Sequence, residues 1–236
     1  MKLRILTTVL SSAAGLVLFW YAGGLGAQPV LATGPDAEIA EDGLHRVDPS
    51  IMEGAWVRLD LDLSGYTRIL LMPTSVLFRD VPESLHDVRS AIGTTEFPVT
   101  DEKKEWLRGV WRQAIDAAFG QQESYESYDG EGTELLVVQA FLVDVVSHIP
   151  PDYSSSVVTM VRDPWIANVV LELRDATTAE LLARTVDRRY GEGLLDTGTA
   201  WMLTPDLLEV WAGVLSERLG QLSDLGGRAG MPPLAQ

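Results

Sequence analysis

Acidic side chains are the commonest groups in this sequence that could do chemistry, with 34 Asp and Glu against 18 Lys and Arg in 236 residues. Asp60 and Asp62 stand two apart in an alternating segment, so both carboxylates would lie on one face of a β-strand, where they could hold a divalent cation or share a proton. A solvated strand face explains the same pair, and no third oxygen-rich motif is adjacent. We expect no metal site there. A hydrolase that uses Asp60, Asp62 or Asp144 is the rival hypothesis to a non-catalytic protein.

Histidine and cysteine offer no further site. His45, His86 and His148 are far apart, and no pair has the i, i+3 or i, i+4 spacing that places two ligands on one helix face. The absence of cysteine excludes disulfides, thiolate zinc sites and cysteine nucleophiles. Neither a G-x-S-x-G nucleophile elbow nor a phosphate-binding loop occurs. The sequence predicts no enzyme activity, no catalytic residues, and no bound cofactor or metal.

Two segments carry partner-binding hypotheses. Asp187, Arg188 and Arg189 fit either an ion-pair cluster that closes a strand or a patch that binds a partner. Ile149–Pro164 joins two predicted strands, and long connections of this kind are frequently functional. Its apolar residues could contact a membrane surface, a partner or another copy of the chain, and they could also form a satellite core or a short edge strand. The candidate partner-contact residues in this loop are Val157, Val158, Met160 and Val161.

Apolar periodicity predicts the strands that must position these groups. The odd-numbered residues of Ala55–Leu63 are apolar, which is typical of a half-buried strand. Tyr66–Met72 and Leu135–Val146 are nearly continuous apolar runs, which indicates strands buried on both faces. Trp165–Leu173 alternates, and Glu180–Arg189 follows it after a turn, so these two segments predict a hairpin.

Two amphipathic helices complete the fold. Thr100 is a predicted N-cap, and an apolar stripe then runs from Trp106 to Ala118. Thr204 is a second predicted cap, with Pro205 at the first helical position and a stripe that ends near Leu222. The predicted class is α+β, with a mostly antiparallel sheet of about four to five strands and two amphipathic helices packed on one face.

The N-terminus has the order of an export signal. Lys2 and Arg4 are the only charges before Asp36, and an apolar run from Ile5 to Ala22 follows them. We predict that residues 1–27 are a cleaved signal peptide or a retained N-terminal membrane anchor. Residues 28–51 are predicted as an extended linker, 52–225 as one α+β domain, and 226–236 as a flexible tail.

The net charge limits the classes of partner that the chain is expected to bind. The formal charge is −16, and without residues 1–27 it becomes −18, from 16 bases against 34 acids. Nucleic acids and anionic lipid headgroups require excess positive charge, so neither is an expected partner. We expect other envelope proteins or self-association. Membrane contact is expected through the N-terminal segment alone, if it is retained.

Several short motifs resemble one bacterial family. The string Asp60–Val76 (DLDLSGYTRILLMPTSV) is similar to the opening of the envelope family called domain of unknown function 3313. Arg174–Leu182 is similar to that family's D-x-x-T-G-e-x-L hairpin, and Val186–Arg189 is similar to its next strand. The C-terminal helix with Trp211 also fits, so the resemblance covers most of the predicted domain, about Glu53–Leu222.

The resemblance implies an exported envelope domain without established catalysis, and it supplies no catalytic residues. The chain departs from the family at two points. It has no lipoprotein cysteine, so a lipid anchor is not implied, and Ala179 stands where the hairpin has a glycine. We expect a periplasmic or envelope-bound accessory or binding module. A small-ligand or lipid carrier with a pocket between helix and sheet is the alternative.

Overall fold

The computed structural model describes residues 30–50, 52–82, 96–119, 134–150 and 159–226, together with the backbone of 123–124. The predicted leader, residues 1–27, lies outside these ranges, as does all but the first residue of the predicted tail. None of the helices in the described ranges has the length and apolarity needed to cross a membrane.

Ten strands and three α-helices make up the described chain, and a 3-10 turn spans Gly34–Asp36. The strands are β1 (His45–Arg46), β2 (Ala55–Val57), β3 (Arg68–Leu71), β4 (Ser75–Phe78), β5 (Glu123–Ser124), β6 (Leu135–Ser147), β7 (Met160–Arg162), β8 (Trp165–Asp175), β9 (Leu181–Tyr190) and β10 (Leu194–Asp196). The helices are α1 (Asp101–Phe119), α2 (Thr197–Met202) and α3 (Thr204–Gly226).

The main sheet is mixed and mostly antiparallel, so the α+β class is confirmed. Its order is β1-β2-β9-β8-β6-β3-β5, with β4 also paired to β6. The predicted four to five strands are too few, because the sheet has eight. The pairs β3/β5, β3/β6 and β4/β6 are parallel, which the sequence analysis did not predict. Parallel neighbours need a long crossover, and α1 lies in the connection between β4 and β6.

Pro73 divides one edge of β6 between two strands. β3 pairs with Leu135–Val138, and β4 resumes the pairing from Phe141 onward. Proline has no N–H to donate to the ladder, so the pairing cannot run through it. The Thr74 hydroxyl donates instead to the carbonyl of Ala140 at 2.7 Å. The sequence predicts one strand that ends at this proline. In the structure that strand is β3, and a second strand, β4, begins shortly after the proline.

The two long helices contact each other and share one core with the inner face of the sheet. On β8 the buried residues alternate with partly exposed ones. Those facing the helices are Trp165, Ala167, Val169, Leu171 and Leu173. The helices contribute buried residues that include Leu107, Trp111, Ile115, Leu208, Trp211 and Leu215. This packing leaves the intervening residues of β8 on the outer face.

The strand predicted over Ala55–Leu63 is wrong in its second half. β2 ends at Val57, and Leu59 and Asp60 lie in the turn that follows it. The alternating apolar pattern persists because Leu61 and Leu63 are still buried in the core from irregular backbone. Side-chain burial at every second residue therefore does not require ladder hydrogen bonds.

Part of the segment predicted as an extended linker packs on the domain, although residues 33–39 are exposed. β1 pairs with β2, and Leu31 and Val47 form an isolated bridge. Leu44 and Val47 are fully buried. Its prolines and glycines break periodicity without removing the apolar residues, so it adds an edge to the sheet.

The second helix start also differs from the prediction. The chain is already helical in α2, which Asp196 caps by accepting the backbone N–H of Thr199 at 3.0 Å. Thr204 is buried, and its hydroxyl donates to the carbonyl of Ala200 at 2.8 Å rather than capping α3. The predicted cap of α1 holds, since Thr100 Oγ1 accepts the backbone N–H of Lys103 at 3.4 Å.

Candidate functional site

The predicted partner-contact loop divides into two parts. Val157 and Val158 lie outside the described residues. Met160 and Val161 belong to β7, which pairs antiparallel with β10 in a separate two-stranded sheet. Val161 is buried, whereas Met160 is 52% exposed. The described part of this loop is therefore a short strand, the second of the two structural alternatives considered for it.

Five large apolar side chains are exposed on this small sheet and the elements around it. Register places Met160 and Leu194 on the same face, because Met160 pairs with Asp196 and Leu194 with Arg162. The helix α2 contacts both strands and ends in an exposed methionine and leucine. We call the set the apolar end: Trp106, Met160, Leu194, Met202 and Leu203.

A stack of three tryptophans anchors the apolar end to the core. Trp201 makes edge contacts with buried Trp165, at a ring centroid distance of 5.2 Å, and with half-exposed Trp106, at 5.9 Å. The Lys103 ammonium lies 4.1 Å from the Trp201 ring centroid, within cation–π range. The Trp165 indole N–H donates to the Thr204 hydroxyl at 2.9 Å. The residues near this surface are thereby held in fixed positions.

A cleft of about 450 Å³ lies between β4 and the start of α1. Its walls combine apolar and charged groups, and Lys104 and Arg108 approach one ring, that of Phe78, with centroid distances of 5.9 and 5.6 Å. The lining residues include Phe78, Phe97, Val99, Val145 and Lys104. The volume falls within the range of small-molecule pockets, roughly 300–1,000 Å³.

An ion-pair cluster borders the cleft. Arg79 donates to Asp144 through Nε, at 2.7 Å, and Nη2, at 2.5 Å, and through Nη1 to Glu96 at 2.6 Å. Asp144 sits at an irregularity of β6 with φ of 58°. The Arg79 hydrogen bond and charge lower the pKa of Asp144 and raise that of Arg79. A carboxylate held ionised in this way is poorly suited to act as a general acid.

The other two carboxylates of the hydrolase hypothesis do not share a strand face. Asp60 accepts a hydrogen bond from Arg58 at 3.3 Å. Asp62 accepts the backbone N–H of Ser64 at 2.9 Å, and hydrogen bonds from Ser64 lower its pKa. Asp62 thus closes a local turn, whereas Asp60 pairs with the side chain of a neighbouring arginine. Among the described residues, no group of three or more acidic or histidine side chains is close enough to hold a metal ion.

The charged run at the end of β9 divides between the two sides of the sheet. Asp187 is 5% exposed and accepts two hydrogen bonds from Arg218 of α3, at 2.6 and 2.9 Å. Arg189 lies on the same side and reaches Asp187 at 3.4 Å. Arg188 is exposed on the outer face. The ion-pair interpretation fits Asp187 and Arg189, and Arg188 alone lies on an open surface.

No protein-family model and no curated protein matches the sequence. The PelC dodecamer from Paraburkholderia phytofirmans is 8% identical, with 70% of this chain and 91% of that chain covered and a TM-score of 0.33. Protein XCC0632 of the family DUF330, from Xanthomonas campestris, is 9% identical, with 70% of this chain and 89% of that chain covered and a TM-score of 0.38. At scores this low these likenesses carry no argument about assembly or function.

Sequence reasoning found part of these surfaces. It singled out Met160 but missed Trp106 and Met202, which it assigned to a buried stripe and to no element. Asp144 is one of two polar residues in the apolar run Leu135–Val146, and that interruption is the sequence signal of the Arg79 cluster. The cleft had no sequence signal of its own, because its walls come from segments far apart in the chain.

Proposed function

We propose that this chain is an exported, non-catalytic protein of the bacterial cell envelope that acts as an accessory or binding module for other envelope components. The predicted export signal and the sequence resemblance to domain of unknown function 3313 support the proposed location. The observation that carries the binding role is the apolar end, where five large apolar side chains stand exposed on adjoining elements.

The composition of the apolar end favours protein binding. Tryptophan and methionine are enriched in the cores of protein interfaces, and the apolar end contains one Trp and two Met. Large exposed apolar patches of monomeric proteins mark interaction sites. Because Trp201 is held between Trp165 and Trp106, the neighbouring side chains lose little conformational freedom on binding.

The acidic side chains support the non-catalytic role. Asp60 pairs with Arg58, Asp62 closes a turn at Ser64, and Asp144 is bound by Arg79. None of the three faces a second unpaired carboxylate in the described structure, which an acid–base pair would require.

A photo-crosslinking amino acid at Met160 tests the proposal in the native host. We expect crosslinks to envelope proteins from this position and none from Ile39, a control side chain that is also exposed but belongs to the N-terminal segment. Equal capture from both positions, or none from Met160, would contradict the binding role. Fractionation and sequencing of the mature N-terminus test the location, and a cytoplasmic chain with an intact leader would overturn it.

The cleft supports a second candidate, a carrier of small ligands or lipids. The apolar part of its lining, which includes Phe78, Phe97 and Val99, offers contact to a hydrocarbon group, and Lys104, which pairs with Asp101, lies at its edge where it could meet an acidic headgroup. Native mass spectrometry of protein purified from its own host would reveal a retained ligand of matching mass. The variant Val99→Trp would fill the cleft and should lose that ligand. A clean unliganded mass for the unmodified protein would count against the carrier.

A further inference from the structure

The outer face of the main sheet is apolar at its centre. Strand register aligns Phe141, Val170 and Val186 side by side on β6, β8 and β9, and Val143 stands in the next row. Leu77 of β4 points to the same side, because its two neighbours pack into the core, and it is 55% exposed. We call these five residues the open face. The other four are partly exposed, and both long helices pack on the opposite side of the sheet.

An antiparallel sheet face that remains in water normally carries alternating polar residues. Here the central outward positions are valine, leucine or phenylalanine side chains apart from Ser75, and polar residues that include Gln139, Asn168 and Glu172 occupy the rows on either side. Contiguous apolar surface of this kind marks a binding site rather than a solvated surface.

Charge is balanced around the open face, although the whole chain carries −16. Four arginines and four acids surround it. Three of the arginines are bound in ion pairs, Arg79 to Asp144 and Glu96, Arg174 to Glu172, and Arg184 to Glu172 and Asp42. The fourth, Arg188, is exposed and lies close enough to Asp144 to interact with its charge. Two copies of this acidic chain would repel each other in most orientations. Contact through the open face reduces that repulsion, because the charges around this face are balanced.

We propose that the open face binds the open face of a second copy of this chain, which forms a two-fold symmetric dimer. Four strands contribute to the face, about 19 Å at 4.8 Å per strand, and the longer ones, β6, β8 and β9, run for about 33 Å over ten residues, so this footprint includes the polar rim as well as the five apolar residues. It therefore offers roughly 600 Å² per copy, and two copies reach the lower end of the range for stable interfaces, about 1,200 Å² in total. Sheets stacked face to face in this way form a standard sandwich.

The charges also suit a two-fold axis. With the axis in the interface between Val170 and Val186, Arg188 of each copy lies at the rim of the contact, where its exposed positive charge offsets the acidic character of the two chains. The same operation stacks the apolar row Phe141, Val170 and Val186 on its own copy. The apolar end lies on other elements, so this dimer leaves it free for the partner proposed above.

The lack of native cysteine permits a direct test on the full chain, purified in the form that the cell produces. We expect Val186→Cys, close to the axis, to form a disulfide-linked dimer under mild oxidation. Val210→Cys is the matched control, because that valine is exposed on α3, away from the open face. A dimer from both variants, or from the control alone, would overturn the proposal.

Sedimentation equilibrium gives an independent measurement. The unmodified chain should be dimeric, Val170→Ile should remain so, and Val170→Glu should raise the dimer Kd at least tenfold. Arg188→Glu, at an exposed position that the core does not need, should also weaken the dimer, which keeps the test valid if Val170→Glu misfolds. A monomeric unmodified chain, or a dimer unaffected by Arg188→Glu and Val170→Glu, refutes the model. Crosslinks from Val186→Cys to a different protein in host extracts also refute it.

Discussion

Removal of Arg218 should destabilise the domain strongly, because it leaves the Asp187 carboxylate buried with one weak partner. Asp187 is 5% exposed, and the Arg218 side chain is 14% exposed. Their two hydrogen bonds, at 2.6 and 2.9 Å, join β9 to α3. In Arg218→Met the methionine retains most of the aliphatic packing, so the change in free energy of unfolding reports mainly on the charge.

The expected loss in free energy of unfolding depends on which partners Asp187 keeps in the variant. Loss of one member of a buried ion pair typically costs about 3–5 kcal/mol. Arg189 still reaches Asp187 at 3.4 Å, so we expect the lower end, about 3 kcal/mol. For a domain of this size that corresponds to a fall in Tm of about 6–12 °C.

A double variant distinguishes charge burial from lost packing. Asp187→Leu combined with Arg218→Met removes both charges, and its free energy of unfolding should lie within about 1 kcal/mol of the unmodified protein. Arg108→Met is the surface control, since its partner Glu105 is 72% exposed, and it should cost at most about 1 kcal/mol. Urea unfolding followed by circular dichroism measures all three. A double variant as unstable as Arg218→Met alone would refute the reasoning.

Three further substitutions test the backbone and the core. Gly54→Ala should destabilise by about 2–3 kcal/mol in urea unfolding, because the added Cβ would overlap the carbonyl oxygen of Val186, and an unchanged midpoint would contradict this contact. Ala179→Gly should stabilise by about 0.5–1 kcal/mol, since Ala179 has a φ of 59° that glycine adopts without strain. The nearby Ala176→Gly, at ordinary φ, should not raise Tm. Thr185→Val should raise stability by about 1 kcal/mol in thermal unfolding, because the fully buried Thr185 hydroxyl has no hydrogen-bond partner among the described residues, and a loss of stability would show that the hydroxyl is hydrogen-bonded in solution.

Local patterns predicted the elements whose burial follows one regular period. The hairpin of β8 and β9, the central position of β6 and the stripes of α1 and α3 all follow from apolar spacing. The missing hairpin glycine also had a structural meaning, because Ala179 adopts the left-handed conformation that the turn requires. The prediction of a strand through Leu63 failed because buried irregular backbone produces the same alternation as a strand.

Parallel pairing and the sharing of one β6 edge by β3 and β4 could not be predicted from spacing. The residues of a strand show which of its faces is buried, but they do not show whether its neighbour runs parallel or antiparallel to it. That direction depends on where the chain re-enters the sheet after α1. The same limit applies to the candidate sites. Arg79 and Asp144 are 65 residues apart in sequence, and their pairing depends on the β4/β6 register.

The primary structure shows the acidic charge, the absence of cysteine and the apolar periods of the helices and main strands, and it predicts an export-type leader. These are properties of composition and of short-range order, which a linear chain displays directly. Three features exist only in the folded molecule: Asp187 is buried against Arg218, the five residues of the apolar end lie on adjoining elements, and an apolar sheet face remains uncovered by the described helices. Each of these three features depends on contacts between residues far apart in the chain. Such contacts form only when the helices pack on one face of the sheet, and this packing leaves the other face uncovered by them.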